Sequence, residues 1–288
     1  MNKILKRVSY WALFLLISGL LNELFKSPKQ ILAQITPMSL FQLELDTWKA
    51  FSLTFSASII SWIIGIAIGR FFGFLAASTS MSKKSNYELT SIGKVINRIA
   101  EWIYVIPFVL TTTFTYALVL VIQTKYGLPK YVSFFSLVAI SGIALGGFHI
   151  YKSVVDAVVN ANQKDRLLIE SLFFKRKKKF IKRHSSYIKR LHDCRIHHYC
   201  SSLQLAFHLS IVAIMIVETI TPSFYELLWP SSGAIEDWKL GAGRLIIQAQ
   251  NSGHYEIIAG CIWAVLLFDT IFISILNSFT HKSWLKHY

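Results

Sequence analysis

Acidic side chains are scarce in this sequence, at 15 Asp and Glu against 30 Lys and Arg, for a net charge of +15. Charge of either sign is scarce too. It makes up 16% of residues, where a soluble domain carries roughly 25%. What charge there is clusters between long apolar runs, which excludes an ordinary soluble domain. In a soluble protein the basic excess would point to nucleic acid. Between apolar runs its source is the positive-inside bias of membrane proteins, and no nucleic-acid partner is expected. Cysteine is limited to Cys194, Cys200 and Cys261, too few for a disulfide framework. A glycine-rich phosphate loop with its lysine is missing, so ATP hydrolysis is not expected in this chain.

What the sequence does have is apolar length. Of its 288 residues 53% are hydrophobic, and mean hydropathy is +0.47. Runs near the ~20 residues that cross a bilayer are expected at 8–25, 48–77, 99–123, 132–150, 203–220 and 257–279. The fold class that follows is all-α, a polytopic helical bundle of about six transmembrane helices. The first run follows Lys3, Lys6 and Arg7. It has no small-residue cleavage site, so 1–39 is expected to be a retained signal anchor with an outer linker. With the N-terminus inside, the inner segments carry Lys83, Lys84, Lys94, Arg98, the many bases of 152–202, Lys282 and Lys286. The outer loops carry only Lys26, Lys29, Lys125, Lys130, Lys239 and Arg244. Both termini are therefore expected on the cytoplasmic side.

Glycine marks packing within the spans. Gly65, Gly69 and Gly73 lie on one helical face at four-residue spacing, so a neighbouring helix can approach closely. Gly142, Gly146 and Gly147 fall in the fourth span, and Pro107 falls inside the third. Arg70, Glu101, His149, His208, Glu218 and Asp269 are ionisable groups in or near spans, but their spacing forms no catalytic set. Glu218 and Asp269 are read as near span ends. After the fourth span, Val154, Val155, Val158, Leu167, Leu168 and Leu172 recur at helical spacing. Such an amphipathic helix docks in a partner's groove, lies on the membrane, or packs under its own bundle, and periodicity does not choose among these.

Four stretches, "LQLAFHLSIVAIMIVETI", "GAGRLIIQAQNSGHYEIIAGCIWAVLLFDTIF", "FSLTFSASIISWIIGIAIGRFFGF" and "EWIYVIPFVLTTTFTYALVLVI", together resemble the inner-membrane permease subunit of bacterial ATP-binding-cassette importers, in the nitrate, sulfonate and taurine branch. "LQLAFHLSIVAIMIVETI" (203–220) resembles that family's fifth span, which closes on a glutamate, here Glu218. "GAGRLIIQAQNSGHYEIIAGCIWAVLLFDTIF" (241–272) resembles its outer re-entrant loop and last span, with Gly241 and Gly243 making the turn. "FSLTFSASIISWIIGIAIGRFFGF" (51–74) and "EWIYVIPFVLTTTFTYALVLVI" (101–122) resemble its second and third spans. The resemblance implies a permease domain over 40–285 in a bacterial inner (plasma) membrane. It also implies an ATP-binding-cassette ATPase partner, an extracytoplasmic solute-binding protein and a second permease subunit, identical or not. The cargo implied is a small anion such as nitrate, a sulfonate or taurine. No cofactor is expected.

In the same family a cytoplasmic Glu-Ala-Ala loop seats in a groove of the ATPase. "LIESLF" (168–173) falls at that place, so Asp165, Leu168, Ile169, Glu170, Ser171 and Leu172 are the implied coupling residues. The glycine and the later Leu-Pro pair of that motif are absent. From 175 to 202 the chain reads "KRKKKFIKRHSSYIKRLHDCRIHHYCSS", and the likeness stops. The lysine run 177–179 implies adenine-rich codons, where a reading frame slips. A compensated frameshift and an authentic divergent insert both account for the segment. His184, His192, Cys194, His197, His198 and Cys200 supply zinc-type donors there without a second well-spaced pair, and no metal site is expected. Two rival functions stay open: a damaged or non-transporting permease-like protein, and an intramembrane enzyme.

Overall fold

The computed structural model describes residues 40–41, 43–79, 91–159, 196–221, 224–229 and 237–285. Within them the chain is helical, without strands. The helices are α1 (Leu45–Thr79), α2 (Ser91–Val105), α3 (Phe108–Tyr126), α4 (Lys130–Ser141), a π-helical turn (Gly142–Gly147), α5 (Phe148–Val159), α6 (Ile196–Ile220), α7 (Ala242–Ser252) and α8 (Tyr255–Leu285). Short 3₁₀ turns occupy Phe224–Leu227 and Asp237–Leu240. Five segments are long and apolar enough to cross a membrane: Leu45–Ala76, Phe108–Tyr126, Lys130–Asp156, Ser201–Ile220 and Ile257–Leu276. They answer to the second through sixth expected spans. The expected first span, 8–25, lies outside the described residues.

The third span starts later than the sequence suggested. The helix stops at Val105 and restarts at Phe108. Pro107 has no N–H to donate and bars its predecessor from helical angles, so it ends one helix and opens the next. The residues before it form α2, which is amphipathic. Lys94, Asn97, Arg98 and Glu101 share one face, and Ile96, Ile99, Ala100 and Ile103 share the other.

The described chain divides into two compact units, Ser56–Val217 and the remainder. In the first, Gly127 takes a left-handed φ of +62° past the end of α3 and its N–H closes on Gln123 O. Pro129 then starts α4. This is a glycine stop followed by a proline start, and it makes a tight α3–α4 hairpin. Leu110, Phe114 and Val121 of α3 are exposed, as suits a lipid-facing helix. Its threonines hide their hydroxyls from that medium by bonding back one turn: Thr112 to Phe108 O (2.9 Å), Thr113 to Val109 O (2.9 Å) and Thr115 to Thr111 O (2.8 Å).

The expected glycine face on α1 meets the π turn and α5. A Cβ on Gly65 would lie 2.5 Å from Gly142 O, and one on Gly73 would lie 2.8 Å from Val154 Cβ. On Gly69 it would strike the carbonyl of Gly147. Gly146 gives the same close approach to Ala206 and Ser210 of α6. Trp62 donates its indole N–H to Leu203 O at 3.0 Å, which fixes α1 to α6. Val154 and Val155 are buried, Val155 with Tyr151 against Ala76, Ile96 and Ala100. The first part of the amphipathic stretch therefore packs within its own unit.

In the second unit, Leu43 and Phe51 pack with Ala242, Cys261 and Ala264, ringed by Trp48, Ile246, Ile257 and Val265. Phe268 of α8 seats against Phe55 at 4.6 Å and Trp48 at 6.3 Å between ring centres. Helix α7, only eleven residues long, is too short to span a bilayer. Its apolar side is held between the start of α1 and the start of α8.

Candidate functional site

The C-terminal turn of α6 carries Glu218 into a fully enclosed place, 1% exposed. Three donors converge on its carboxylate. Thr54 Oγ1 of α1 donates to Oε1 at 2.6 Å, and Tyr225 Oη of the first 3₁₀ turn donates to the same oxygen at 2.7 Å. The backbone N–H of Gly243 donates to Oε2 at 2.7 Å. Thr54 also accepts the N–H of Ala242 at 2.9 Å. The first two N–H groups of α7, which no helical carbonyl can reach, are thus satisfied by one carboxylate and one hydroxyl.

The local backbone explains why glycines stand here. Gly241 caps α7 with φ +80° and ψ 163°, a conformation open essentially to glycine. A Cβ there would fall on the Glu218 carboxyl group. The turn therefore needs glycine for its angles and for its space. Next to it, Arg244 donates to Thr219 O at 3.3 Å, a second tie between α7 and the end of α6.

The electrostatics are unusual because every partner of Glu218 is neutral. A buried carboxylate is costly unless donors replace its water, and here three short bonds do so. Tyr225 lies outside the spans, and its phenol is pushed well above the ordinary tyrosine range. Burial is the first cause and the neighbouring Glu218 charge the second. Tyr225 therefore keeps its proton and stays a donor. The arrangement can fix a short helix in place. Among the described residues no group of three His, Cys, Asp or Glu is positioned for a metal.

The structure brings Gly241 and Gly243 together with Glu218. Thr54 and Tyr225 were not singled out in the sequence. Thr54 is one hydroxyl in an apolar run, 164 positions from Glu218, and carries no local signal. Tyr225 is one aromatic of an outer loop and likewise carries no local signal of a carboxylate partner. Asp165, Leu168, Ile169, Glu170, Ser171 and Leu172 lie outside the described residues, as do the side chains of the 184–200 His and Cys group. Arg70 stacks over Phe74 at 5.7 Å. Glu101 is half exposed, with Lys152 at 4.0 Å. Asp269 lies well inside the Ile257–Leu276 span, not at its end as the sequence reading had it. The helix simply runs on past the apolar run, to Leu285. Comparison of the chain with protein-family models, curated proteins and solved structures finds no match.

Proposed function

We propose that this chain is the membrane-spanning permease subunit of an ATP-driven importer for a small solute, with a nitrate, sulfonate or taurine-type anion as the cargo. The observation that carries the reading is the Glu218 clasp. A glutamate closes one span, a Gly-x-Gly turn opens a short polar helix, and a final span follows. That order is the one the sequence resemblance implies, and in this chain glutamate and turn are hydrogen-bonded to each other. Many secondary transporters likewise build their substrate sites from short, interrupted helices.

In this reading ATP is hydrolysed by a separate ATPase subunit that seats on the loop around 160–174. A second permease subunit completes the pathway, and an external binding protein delivers the solute. The bilayer is a bacterial inner membrane. The test is affinity purification of the full chain in mild detergent from its native cell. Recovery of an ATP-binding-cassette ATPase supports the assignment, and its absence under conditions that keep known importers intact removes it. A second reading, a permease that no longer transports, is favoured by one observation: the missing glycine and Leu-Pro in 175–202. ATP-dependent uptake of the labelled anion into vesicles carrying the purified complex separates the two.

A further inference from the structure

A second feature belongs to the Ser56–Val217 unit. Between α1, α2 and the π turn runs an open groove of about 150 Å3, walled by Gly69 and Phe72, by Ile99 and Ile103, and by Gly147 and Tyr151. Its cause is visible in the chain. Helix α2 is pinned at two points, by Tyr151 Oη donating to Asn97 Oδ1 at 3.2 Å and by Tyr104 stacking on Phe148 at 4.4 Å. Between those pins the isoleucines of α2 stand over the seam where the backbones of Gly69 and Gly147 meet.

The wall chemistry selects the occupant. Among the described residues no charged side chain lines the groove, and the Tyr151 hydroxyl is engaged by Asn97. A solute with polar atoms would lose its water there without replacement. An apolar cavity of roughly this volume stays dry and takes a ring of about six carbons. An empty one forfeits the dispersion contacts of its walls. The groove belongs to helices built to stand in a bilayer, where the available filler is an acyl chain. The far face of α2 carries Lys94 and Arg98 one turn apart, both exposed, and Trp102 beside them is 64% exposed. That is the pattern of a helix lying at headgroup level, with bases for anionic lipid.

We propose that this groove is a binding site for one acyl chain of an anionic membrane phospholipid, kept at the headgroup level by the basic face of α2. The test uses the full chain reconstituted in phosphatidylcholine vesicles, with a trace of phosphatidylglycerol or phosphatidylcholine bearing a photoreactive group on the acyl chain. After illumination, labelled positions are mapped by peptide mass spectrometry. The expected result is label at Phe72, Ile99 and Ile103 that favours the phosphatidylglycerol probe, by roughly fivefold for each base engaged. Ala100→Phe, which fills the groove, should remove that label and leave the label on Leu110, Phe114 and Val121 of α3 unchanged. Lys94→Gln with Arg98→Gln should bring the two probes level. Label confined to α3, equal groove labelling by both probes on the unaltered chain, or groove labelling that persists in a folded Ala100→Phe protein would each overturn the proposal. Should Ala100→Phe fail to fold, probe preference on the unaltered chain still decides.

Discussion

Removing single partners from the Glu218 clasp should rank in an order that area burial alone would not produce. Tyr225→Phe keeps the ring and deletes one hydroxyl. It leaves the carboxylate enclosed with two donors, and a hydrogen bond to a charged group is worth about 1.5–3 kcal/mol. Glu218→Ala strands the Tyr225 hydroxyl and the Gly243 N–H, at about 1–3 kcal/mol each, and opens a hole, so it should cost about 3–5 kcal/mol. Glu218→Gln should cost least, about 1 kcal/mol. Its oxygen can still accept from Gly243, its NH₂ can donate to the Tyr225 oxygen, and Thr54 can turn its proton to Ala50 O, 3.1 Å away. The assay is built into the same unit. Cys261 is buried in the core that also holds Ala242, so its thiol reacts only when that core opens. In a Cys194→Ser, Cys200→Ser background, labelling by a thiol reagent in detergent reads that opening. Each 1.4 kcal/mol is a tenfold change. Tyr225→Phe should therefore label roughly ten- to a hundredfold faster than the parent, Glu218→Ala faster still, and Glu218→Gln only several-fold faster. Equal rates for Gln and Ala, or no change for Phe, would refute the idea that these bonds hold α7.

Four further outcomes are expected. Gly69→Val forces a side chain onto the Gly147 carbonyl, and backbone cannot yield cheaply, so the folded yield in membranes should fall by more than tenfold, on the scale of a loss of about 2–3 kcal/mol or more. Deleting Ile143 should turn the π turn into ordinary helix without lowering the helix content seen by circular dichroism. It rotates α5 by about 100°, so position 151, buried in the parent against Ala76, Ile96 and Ala100, should turn outward, and a cysteine placed there should react with a thiol reagent faster than in the parent. In intact cells an impermeant thiol reagent should leave Cys194 and Cys200 unmodified until the membrane is opened, because the basic 152–202 segment is expected on the inside. Glu170→Lys should reduce co-purification of an ATPase subunit while membrane insertion stays normal. Unchanged co-purification would remove Glu170 from the coupling role.

Five of the six expected spans were legible because a bilayer asks for one thing, apolar length, and length survives in a single sequence. The glycine face of α1 was legible for a related reason: Gly65, Gly69 and Gly73 repeat every four residues, and a small residue at each turn matters only if another backbone comes close. Local chemistry was harder to weigh. Pro107 stood in plain view, yet a proline inside an apolar run can bend a span or end it. The arbiter was the polar face of Lys94, Asn97, Arg98 and Glu101, which belongs at a surface and not in mid-bilayer. Nor does "GIALGG" announce a π turn. Its glycines predict close approach, and the carbonyls of Ser61, Gly65 and Ala206 do lie against it, but nothing local marks the extra residue in the turn.

The clasp marks where reading along the chain must stop. Each element had a local signature: an acid at the end of a span, and a Gly-x-Gly turn before a short polar helix. What the sequence could not supply was the hydroxyl that joins them. Many apolar spans carry threonines that merely bond to their own helix, as those of α3 do, and Thr54 has such a carbonyl, Ala50 O, within reach at 3.1 Å. Its second partner exists only because Phe51 and Leu43 seat α7 so that the N–H of Ala242 arrives over the Thr54 oxygen. Apolar packing sets the distance, and the polar contacts then become short and exclusive because no water competes for them. A buried acid with neutral partners is thus a consequence of packing that is complete on all sides. It follows that the clasp should be sensitive to substitutions that touch none of its polar atoms. Phe51→Ala, which loosens the seat of α7, should raise Cys261 labelling as much as Tyr225→Phe does, and the two changes together should fall short of additive, since both release the same helix. Strict additivity would mean that the apolar seat and the hydrogen bonds act on α7 independently, contrary to the geometry described.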